Sequence, residues 1–259
     1  KLGDDSFGKL AYEQFQKEYI DTSFIFFDQG APSGVALINV NEEGENCIVV
    51  ASGANDRLLP EDTEDALEAL SENDIVVLQL ESPLQTVEYV AAKAAQKGAK
   101  VILNPAPARV LPVQILKSLY LITPNETEAA VLSGVKVNDA RSAQEAAKKL
   151  CAAGVKNVII TMGSKGAYLY NDNLAEFVEA RKVEALDTTA AGDCFNGALA
   201  VALSENKSLK EATGFACVAA SISVARMGAQ ISMPYQSEVQ EYLISQESKK
   251  KLDFDTNGQ

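Results

Sequence analysis

DIVVLQLESPLQTVEYVAAKAAQKGAKVILNP, residues 74–105, contains one complete strand–helix–strand pattern. The apolar run 74–80 predicts a buried strand, residues 83–98 predict an amphipathic helix, and KVILNP predicts a second strand. Two strands joined through a helix are typical of a parallel pair, because parallel strands need a long crossover connection. The stretch therefore predicts an α/β fold.

The same alternation continues toward the carboxyl terminus. Strands are expected within 120–125 and 155–163, and helices within 125–134 and 140–154. A hairpin of GAYLY and LAEFV (166–178) and further helices follow. The pattern predicts a mostly parallel central sheet flanked by helices.

A segment without helical periodicity, residues 22–55, interrupts this alternation. FIFF (24–27), GVALINV (34–40) and NCIVVAS read as strands, with NEEGE (41–45) as a hairpin turn. We expect this segment to form a small sheet beside an α/β domain made of residues 1–21 and 56–248. The remaining tail, 249–259, has no periodicity and is expected to be disordered.

Composition excludes several classes of function. The 259 residues are 47% hydrophobic, enough for one large domain, and no apolar run reaches the roughly 18 residues of a membrane span. The net charge of −13 argues against nucleic acid and anionic membranes as partners, although local backbone amides can still bind an anion.

Cysteine and histidine content narrows the chemistry. The four cysteines lack C-x-x-C spacing, which predicts reduced thiols and a cytoplasmic protein. The chain has no histidine, so a general base must be a carboxylate or, less often, Lys, Tyr or Cys.

GDDSFGKL, residues 3–10, matches most of the phosphate-loop pattern G-x-x-x-x-G-K-[ST]. Leu10 takes the place of the hydroxyl that would bind Mg²⁺, and Asp4 and Asp5 would put negative charge inside an anion cradle. We therefore expect a polar turn that leads into an amphipathic helix, not a nucleotide site.

VEALDTTAAGDCFNGALAVAL, residues 183–203, carries the strongest functional signal. The small residues 190–192 let backbone N–H groups approach a ligand at the positive end of the following helix. Asp193 in the first turn should stay ionised there, as a base that accepts a hydroxyl proton during phosphoryl transfer. The alternative is that Asp193 only caps the helix and the alanines only pack.

DTTAAGDCFNGAL (187–199) resembles the carboxy-terminal signature of the ribokinase-like (PfkB-type) sugar kinases, with Ala190 where many members carry Gly. Matches to the family follow in family order between Gly3 and Leu243: GVALINVNEEGEN, SGAN, LQLESP, LNPAPAR, TPNETEA, TMGSKG and VARMGAQIS. LNPAPA and GEN…GAN are similar to the branch that acts on ribose.

The resemblance implies an ATP-dependent kinase that phosphorylates the 5-hydroxyl of D-ribose, with Mg²⁺ and a monovalent cation, usually K⁺, as cofactors. Asp193 would be the base, and Ala190, Ala191 and Gly192 would form the anion hole with it. Residues 22–55 would act as a lid, whose apolar face would pair two copies into a homodimer. The alternatives are another pentose, deoxyribose or a nucleoside as acceptor, or a non-catalytic sugar-binding homologue.

Members of the family also carry a segment before the position that matches Gly3, with a central strand and a sugar-binding loop. Either the natural chain is longer than the 259 residues or it is a truncated product. We expect the longer chain, because a parallel sheet without a central strand would lose hydrogen bonds and core contacts.

The resemblance assigns the remaining roles by position. Glu81 would contact the sugar together with Asp193, or else be a capped or paired acid. Asn125 and Glu128 of N-x-x-E would position Mg²⁺ indirectly, although the same pattern fits a helix capping box. The nucleotide side would comprise Asn125, Thr161, Gly163, Ser164, Gly166, Gly192 and Cys217. The monovalent cation would be held by Asp187 and Thr189 and by carbonyl groups of Ser223, Arg226, Gly228 and Ser232.

Overall fold

The computed structural model describes residues 1–40 and 46–245. The predicted turn 41–45 and the predicted tail 249–259 lie outside the described residues. The chain divides into two compact units, Lys1–Lys100 and Val101–Gln259. This boundary differs from the expected one around residues 22–55, and the lid assignment stays a prediction.

The first unit contains short strands, three α-helices and two 3₁₀ helices, Gly53–Arg57 and Pro60–Thr63, among its described residues. In chain order the strands and α-helices are β1 (Leu2–Gly3), α1 (Ser6–Lys17), β2 (Phe27–Asp28), β3 (Val35–Val40), β4 (Asn46–Ala51), α2 (Glu64–Glu68), β5 (Ile75–Leu78) and α3 (Leu84–Gln96). Strand β1 pairs with β2 in parallel, and β3 pairs with β4 in an antiparallel hairpin. The predicted hairpin is therefore present.

The FIFF pattern overestimates the extent of β2. Of the four residues, only Phe27 lies in β2, whose partner β1 is two residues long, and the carbonyl of Phe26 accepts the N–H group of Leu2 at 3.0 Å. The N–H group of Ile25 instead closes a turn on the carbonyl of Thr22, at 3.0 Å.

The turn before α1 is filled by hydrogen bonds and backbone contacts of the protein. The carboxylate of Asp5 accepts the N–H groups of Gly8 and Ser33, each at 2.8 Å. A Cβ atom at Gly8 would lie 2.1 Å from the carbonyl oxygen of Gly3, so close packing requires glycine there. The expected polar turn and amphipathic helix are confirmed.

The second unit contains the elements of the predicted α/β alternation. In chain order these are β6 (Lys100–Leu103, beginning at the boundary), α4 (Val113–Ser118), β7 (Leu121–Ile122), α5 (Glu126–Ser133), α6 (Ala140–Ala152), β8 (Asn157–Thr161), β9 (Gly166–Tyr170), β10 (Ala175–Glu179), α7 (Ala191–Ser204), α8 (Leu209–Ser223) and α9 (236–245).

The central sheet has the strand order β10-β9-β8-β7-β6-β5 and is flanked by helices. Strands β6, β7 and β8 are parallel, whereas β9 is antiparallel to both of its neighbours. The sheet is therefore mixed, because the four residues between β8 and β9 are too few for a parallel crossover. The predicted α/β class and the GAYLY–LAEFV hairpin are confirmed.

Burial separates the centre of this sheet from its edge. The side chains of Ile102, Leu121 and Ile159, one on each of the parallel strands, are fully buried. Val77 on β5 is 43% exposed, because β5 is an edge strand in the described sheet. The strand predicted at 74–80 is therefore present as β5, but it is less buried than expected.

The carboxyl ends of β7 and β8 lie side by side. The N–H group of Thr161 donates to the carbonyl of Pro124 at 2.9 Å, and Thr161 forms a parallel bridge with Asn125. Ligands of α/β sheets bind at this end of the strands. No helix of the described residues is long and apolar enough to cross a membrane.

Candidate active site

Helix α7 begins after a turn with left-handed backbone. Ala190 has a φ of 58° and ψ of 15°, a conformation that L-residues other than Gly, Asn and Asp seldom adopt. The N–H group of Cys194 donates to the carbonyl of Ala190 at 2.9 Å and so starts the helix. Ala190 offers no side-chain cap to this positively polarised helix end.

Gly192 and Asp193 occupy the exposed first turn of α7. A Cβ atom at Gly192 would meet no atom within 4 Å, so a ligand can approach the backbone there. Asp193 also borders a cavity of about 250 Å³ whose other walls include Gly197, Val201 and Met233. The turn therefore offers an anion-attracting helix end beside a carboxylate.

Asn196 is a site residue that sequence reasoning missed. Its side chain is buried, its Nδ2 donates to the carbonyl of Gly192 at 2.8 Å, and its Oδ1 accepts from the hydroxyl of Thr123 at 2.6 Å. The available signal was a polar residue one turn after Gly192 in an otherwise apolar helix. The structure thus connects α7 to the end of β7.

Asn125 and Glu128 form a reciprocal capping box at the start of α5. The side chain of Asn125 accepts the N–H group of Glu128, and Oε2 of Glu128 accepts the N–H group of Asn125, both at 2.8 Å. Oε1 of Glu128 accepts from Nδ2 of Asn125 at 2.9 Å. Burial raises the pKa of Glu128, although the hydrogen bond from the Asn125 backbone acts in the opposite direction.

Thr161, Gly163 and Ser164 form a loop next to Asn125. Gly163 has a φ of 54° and open space at its Cβ position, and Ser164 is exposed. Gly166 differs, because its Cβ would lie 2.0 Å from the carbonyl oxygen of Val178 across the hairpin. The glycine at 166 is thus required by packing.

Asp187 connects the segments that precede α7 and follow α8. Its Oδ1 accepts the N–H group of Thr189 and its Oδ2 that of Gly228, each at 2.9 Å. The hydrogen bonds from Thr189, then that from Gly228, lower the pKa of Asp187. The hydroxyls of Ser223 and Ser232 lie 3.3 Å apart in the adjoining buried region.

Arg226 belongs to the same neighbourhood, where it forms an ion pair with Glu238. The carboxylate of Glu238 also accepts the N–H group of Tyr235 at 2.8 Å. The structure therefore brings together all six residues predicted for the cation: Asp187, Thr189, Ser223, Arg226, Gly228 and Ser232.

Comparison with known proteins gives the family of the chain. The family model described as pfkB family carbohydrate kinase matches residues 1–236. The chain belongs to this family. It is an ATP-dependent sugar kinase, and the family resemblance found in the sequence is confirmed.

This kinase is similar to ribokinases and to a deoxyribokinase. It is 43% identical to ribokinase from Haemophilus influenzae over 93% of this chain and 79% of the relative. It is 36% identical to deoxyribokinase from Salmonella typhi over 94% of this chain and 80% of the relative. The structure of Arabidopsis thaliana ribokinase complexed with ribose and ATP is similar with a TM-score of 0.86 and 32% identity, covering 93% of this chain and 79% of that one.

Two predicted site residues, Cys217 and Glu81, are not part of the clusters described above. Cys217 is buried in α8, and burial raises its pKa to about 12, so the thiol is uncharged near neutral pH. Glu81 belongs to the first unit and lies three residues after β5. Its side chain is exposed, and its assignment to the sugar site stays a prediction.

Proposed function

We propose that this kinase transfers the γ-phosphoryl group of ATP to the 5-hydroxyl of D-ribose. The observation that carries the proposal is the first turn of α7, where Asp193 stands beside open backbone at Gly192. The ribokinase relatives support ribose as the acceptor. The deoxyribokinase relative favours 2-deoxyribose as the second candidate.

Asp193 acts as the general base in this mechanism. Its carboxylate accepts the proton of the attacking hydroxyl while the sugar oxygen forms a bond to the γ-phosphorus. The bond between the γ-phosphorus and the bridging oxygen breaks, and ADP leaves. The backbone amides of Ala190, Gly192 and Asp193, at the positive end of α7, stabilise the charge on the transferring group, whereas the N–H group of Ala191 donates to the carbonyl of Thr188 at 3.2 Å.

The nucleotide side combines Asn125, Thr161, Gly163, Ser164 and Gly192, of which the first three are adjacent at the ends of β7 and β8. Gly166 and Cys217 support this region through packing. Glu81 contacts a sugar hydroxyl.

Glu128 would help to hold Mg²⁺ indirectly, because both of its oxygens already bond to Asn125. A carboxylate accepts about four hydrogen bonds, so acceptor capacity remains for a metal-bound water. Magnesium supplies positive charge to the phosphates when bound.

The cluster around Asp187 would suit K⁺, because it combines the Asp187 carboxylate with the hydroxyls of Ser223 and Ser232, and hard cations prefer oxygen ligands. The hydrogen bonds from Thr189 and Gly228 keep the Asp187 carboxylate ionised. A cation there adds positive charge near the anion hole. The unpaired thiols of the described cysteines are compatible with a cytoplasmic location.

The hairpin β3–β4 acts as the lid and as a dimer contact. Leu37 and Val49 pair across the hairpin and are 63% and 55% exposed, so one face carries an uncovered apolar pair. Light scattering at working concentration should give the mass of a dimer for the natural protein and of a monomer for Leu37→Glu. A monomeric mass for the natural protein would remove the dimer.

The function is tested by ADP formation with Mg²⁺ and K⁺ in the presence of ribose, 2-deoxyribose or a nucleoside. We expect the highest kcat/KM with ribose and a loss of rate when Na⁺ replaces K⁺. A higher kcat/KM with 2-deoxyribose would establish the second candidate. Sugar binding without ADP formation would instead indicate a non-catalytic homologue.

A further inference from the structure

The side chain of Asn196 joins the first turn of α7 to the end of β7. The hydroxyl of Thr123 donates to Oδ1 of Asn196 at 2.6 Å, and Nδ2 of Asn196 donates to the carbonyl of Gly192 at 2.8 Å. Thr123 and Asn196 are only 2% and 5% exposed. Hydrogen bonds in such a place are strong, because water does not compete for their partners.

The orientation of the Asn196 amide is determined by these partners. The carbonyl of Gly192 can only accept, so the NH₂ group of Asn196 must face it. The oxygen of the amide then faces Thr123, whose hydroxyl supplies the proton. If the amide turned over, two oxygens would face each other and the hydroxyl would meet a donor.

Fixing the carbonyl of Gly192 also fixes the next N–H group. The C=O of Gly192 and the N–H of Asp193 belong to one planar peptide unit and point in opposite directions. A hydrogen bond that holds the carbonyl along the helix therefore aims the N–H of Asp193 toward the amino-terminal end of α7. That end is where an anionic group meets the backbone.

We propose that Asn196 and Thr123 form a positioning pair that holds the Gly192–Asp193 peptide in the orientation needed for phosphoryl transfer. The chemistry rests on the proposed function, whereas the orientation of the peptide does not. Thr123 lies two residues before Asn125, so the pair also ties the anion-binding turn to the strand end that carries N-x-x-E. Neither residue touches the reacting atoms in this scheme.

The principal test is Thr123→Val, which keeps the shape of the side chain and removes the donor. We expect kcat to fall about tenfold, as for other outer-shell partners, with KM for ATP and sugar changed less than about twofold. Thr123→Ser restores the hydroxyl and should recover most of kcat. The matched control is Thr213→Val, which removes a fully buried hydroxyl that bonds to the Leu209 carbonyl in α8.

A second variant covers the case in which Thr123→Val does not fold. Asn196→Leu removes the amide, and the Thr123 hydroxyl can then turn to the carbonyl of Leu103, which lies 3.4 Å away. Its kcat per folded molecule, with the folded fraction measured from thermal melts, should fall by a similar factor. An unchanged kcat in folded Thr123→Val or Asn196→Leu would overturn the proposal, as would an equal loss in Thr213→Val.

An amide NMR spectrum separates this proposal from the proposed function. In Thr123→Val the N–H signals of Gly192 and Asp193 should shift, whereas Thr213→Val should leave them in place. If the natural protein forms no ADP with any sugar but these signals shift, the proposed function fails and the positioning of the peptide stands. Unshifted signals would overturn the positioning itself.

Discussion

Residues 3–8 at the start of α1 and residues 187–193 at the start of α7 are both stretches of small and acidic residues in which a turn leads into a helix. In residues 3–8, the side chain of Asp5 accepts the N–H group of Gly8 and so caps the start of α1. The carbonyl of Gly3 lies where a side chain of Gly8 would be. This turn has no room for a ligand.

The second turn has the opposite character. Ala190 provides no side-chain cap, and the Cβ position of Gly192 is open. Asp193 stands inside the first turn of the helix instead of before it. The two turns teach that a glycine-rich approach to a helix attracts an anion only where the protein leaves space in front of the backbone.

Asp193→Asn should show the largest difference in kcat between variants of the two stretches. Loss of a general base should lower kcat on the order of 10²–10⁴-fold, while the melting temperature stays close to that of the natural protein. Steady-state ADP formation measures the first quantity and a thermal melt the second. Lys9→Ala, in α1 directly after residues 3–8, is the control and should leave kcat nearly unchanged. The reverse pattern would move the nucleotide to residues 3–10.

Alanine at the two glycines should have different consequences. Gly192→Ala puts a methyl group into the open space before the backbone, and we expect kcat/KM to fall about 100-fold, since small misplacements of a substrate are costly. Gly8→Ala should instead lower the free energy of unfolding by about 1–3 kcal/mol, because the methyl group overlaps the carbonyl of Gly3. Its kcat per folded molecule should remain normal. Equal effects of the two variants on stability would contradict the distinction.

Low pH should reduce the stability that Asp5 gives to residues 3–8. Hydrogen bonds from Gly8 and then from Ser33 lower the pKa of Asp5 from its ordinary 3.8, so folding favours the ionised form. This stabilisation is complete above pH 3.8 and is lost as the pH falls through the lowered pKa. In urea titrations at decreasing pH, Asp5→Asn should lose less stability below pH 3.8 than the natural protein does. Asp65→Asn, at an exposed position in α2, should follow the natural protein.

Local patterns were sufficient for most of the fold. The strand–helix–strand unit at 74–105 and the hairpin at 166–178 involve neighbouring segments, whose apolar periodicity is visible in the sequence. The pattern was misleading for FIFF and for β5, since the length of a strand and its burial depend on partners elsewhere in the chain.

The candidate site divides in the same way. Asp193 and the turn before it are contiguous, so one string of sequence reveals them together. Asn196 and Thr123 are 73 residues apart and meet only through side-chain conformations, which no local pattern encodes. Gly163 and Gly166 look equivalent in the sequence, but only the first has space at its Cβ position.

The hydrogen bonds of Asp187 have a consequence for how helices α7 and α8 are held. The Asp187 carboxylate accepts the N–H group of Gly228, 41 residues away, and the carbonyl of Val224 accepts the N–H groups of Leu186 and Asp187. These bonds join the two ends of the segment that contains both helices. The segment is therefore a closed loop, and it lacks the conformational freedom that an open segment of that length would keep. Breaking these bonds would therefore loosen Asp193 and the turn before it at the same time.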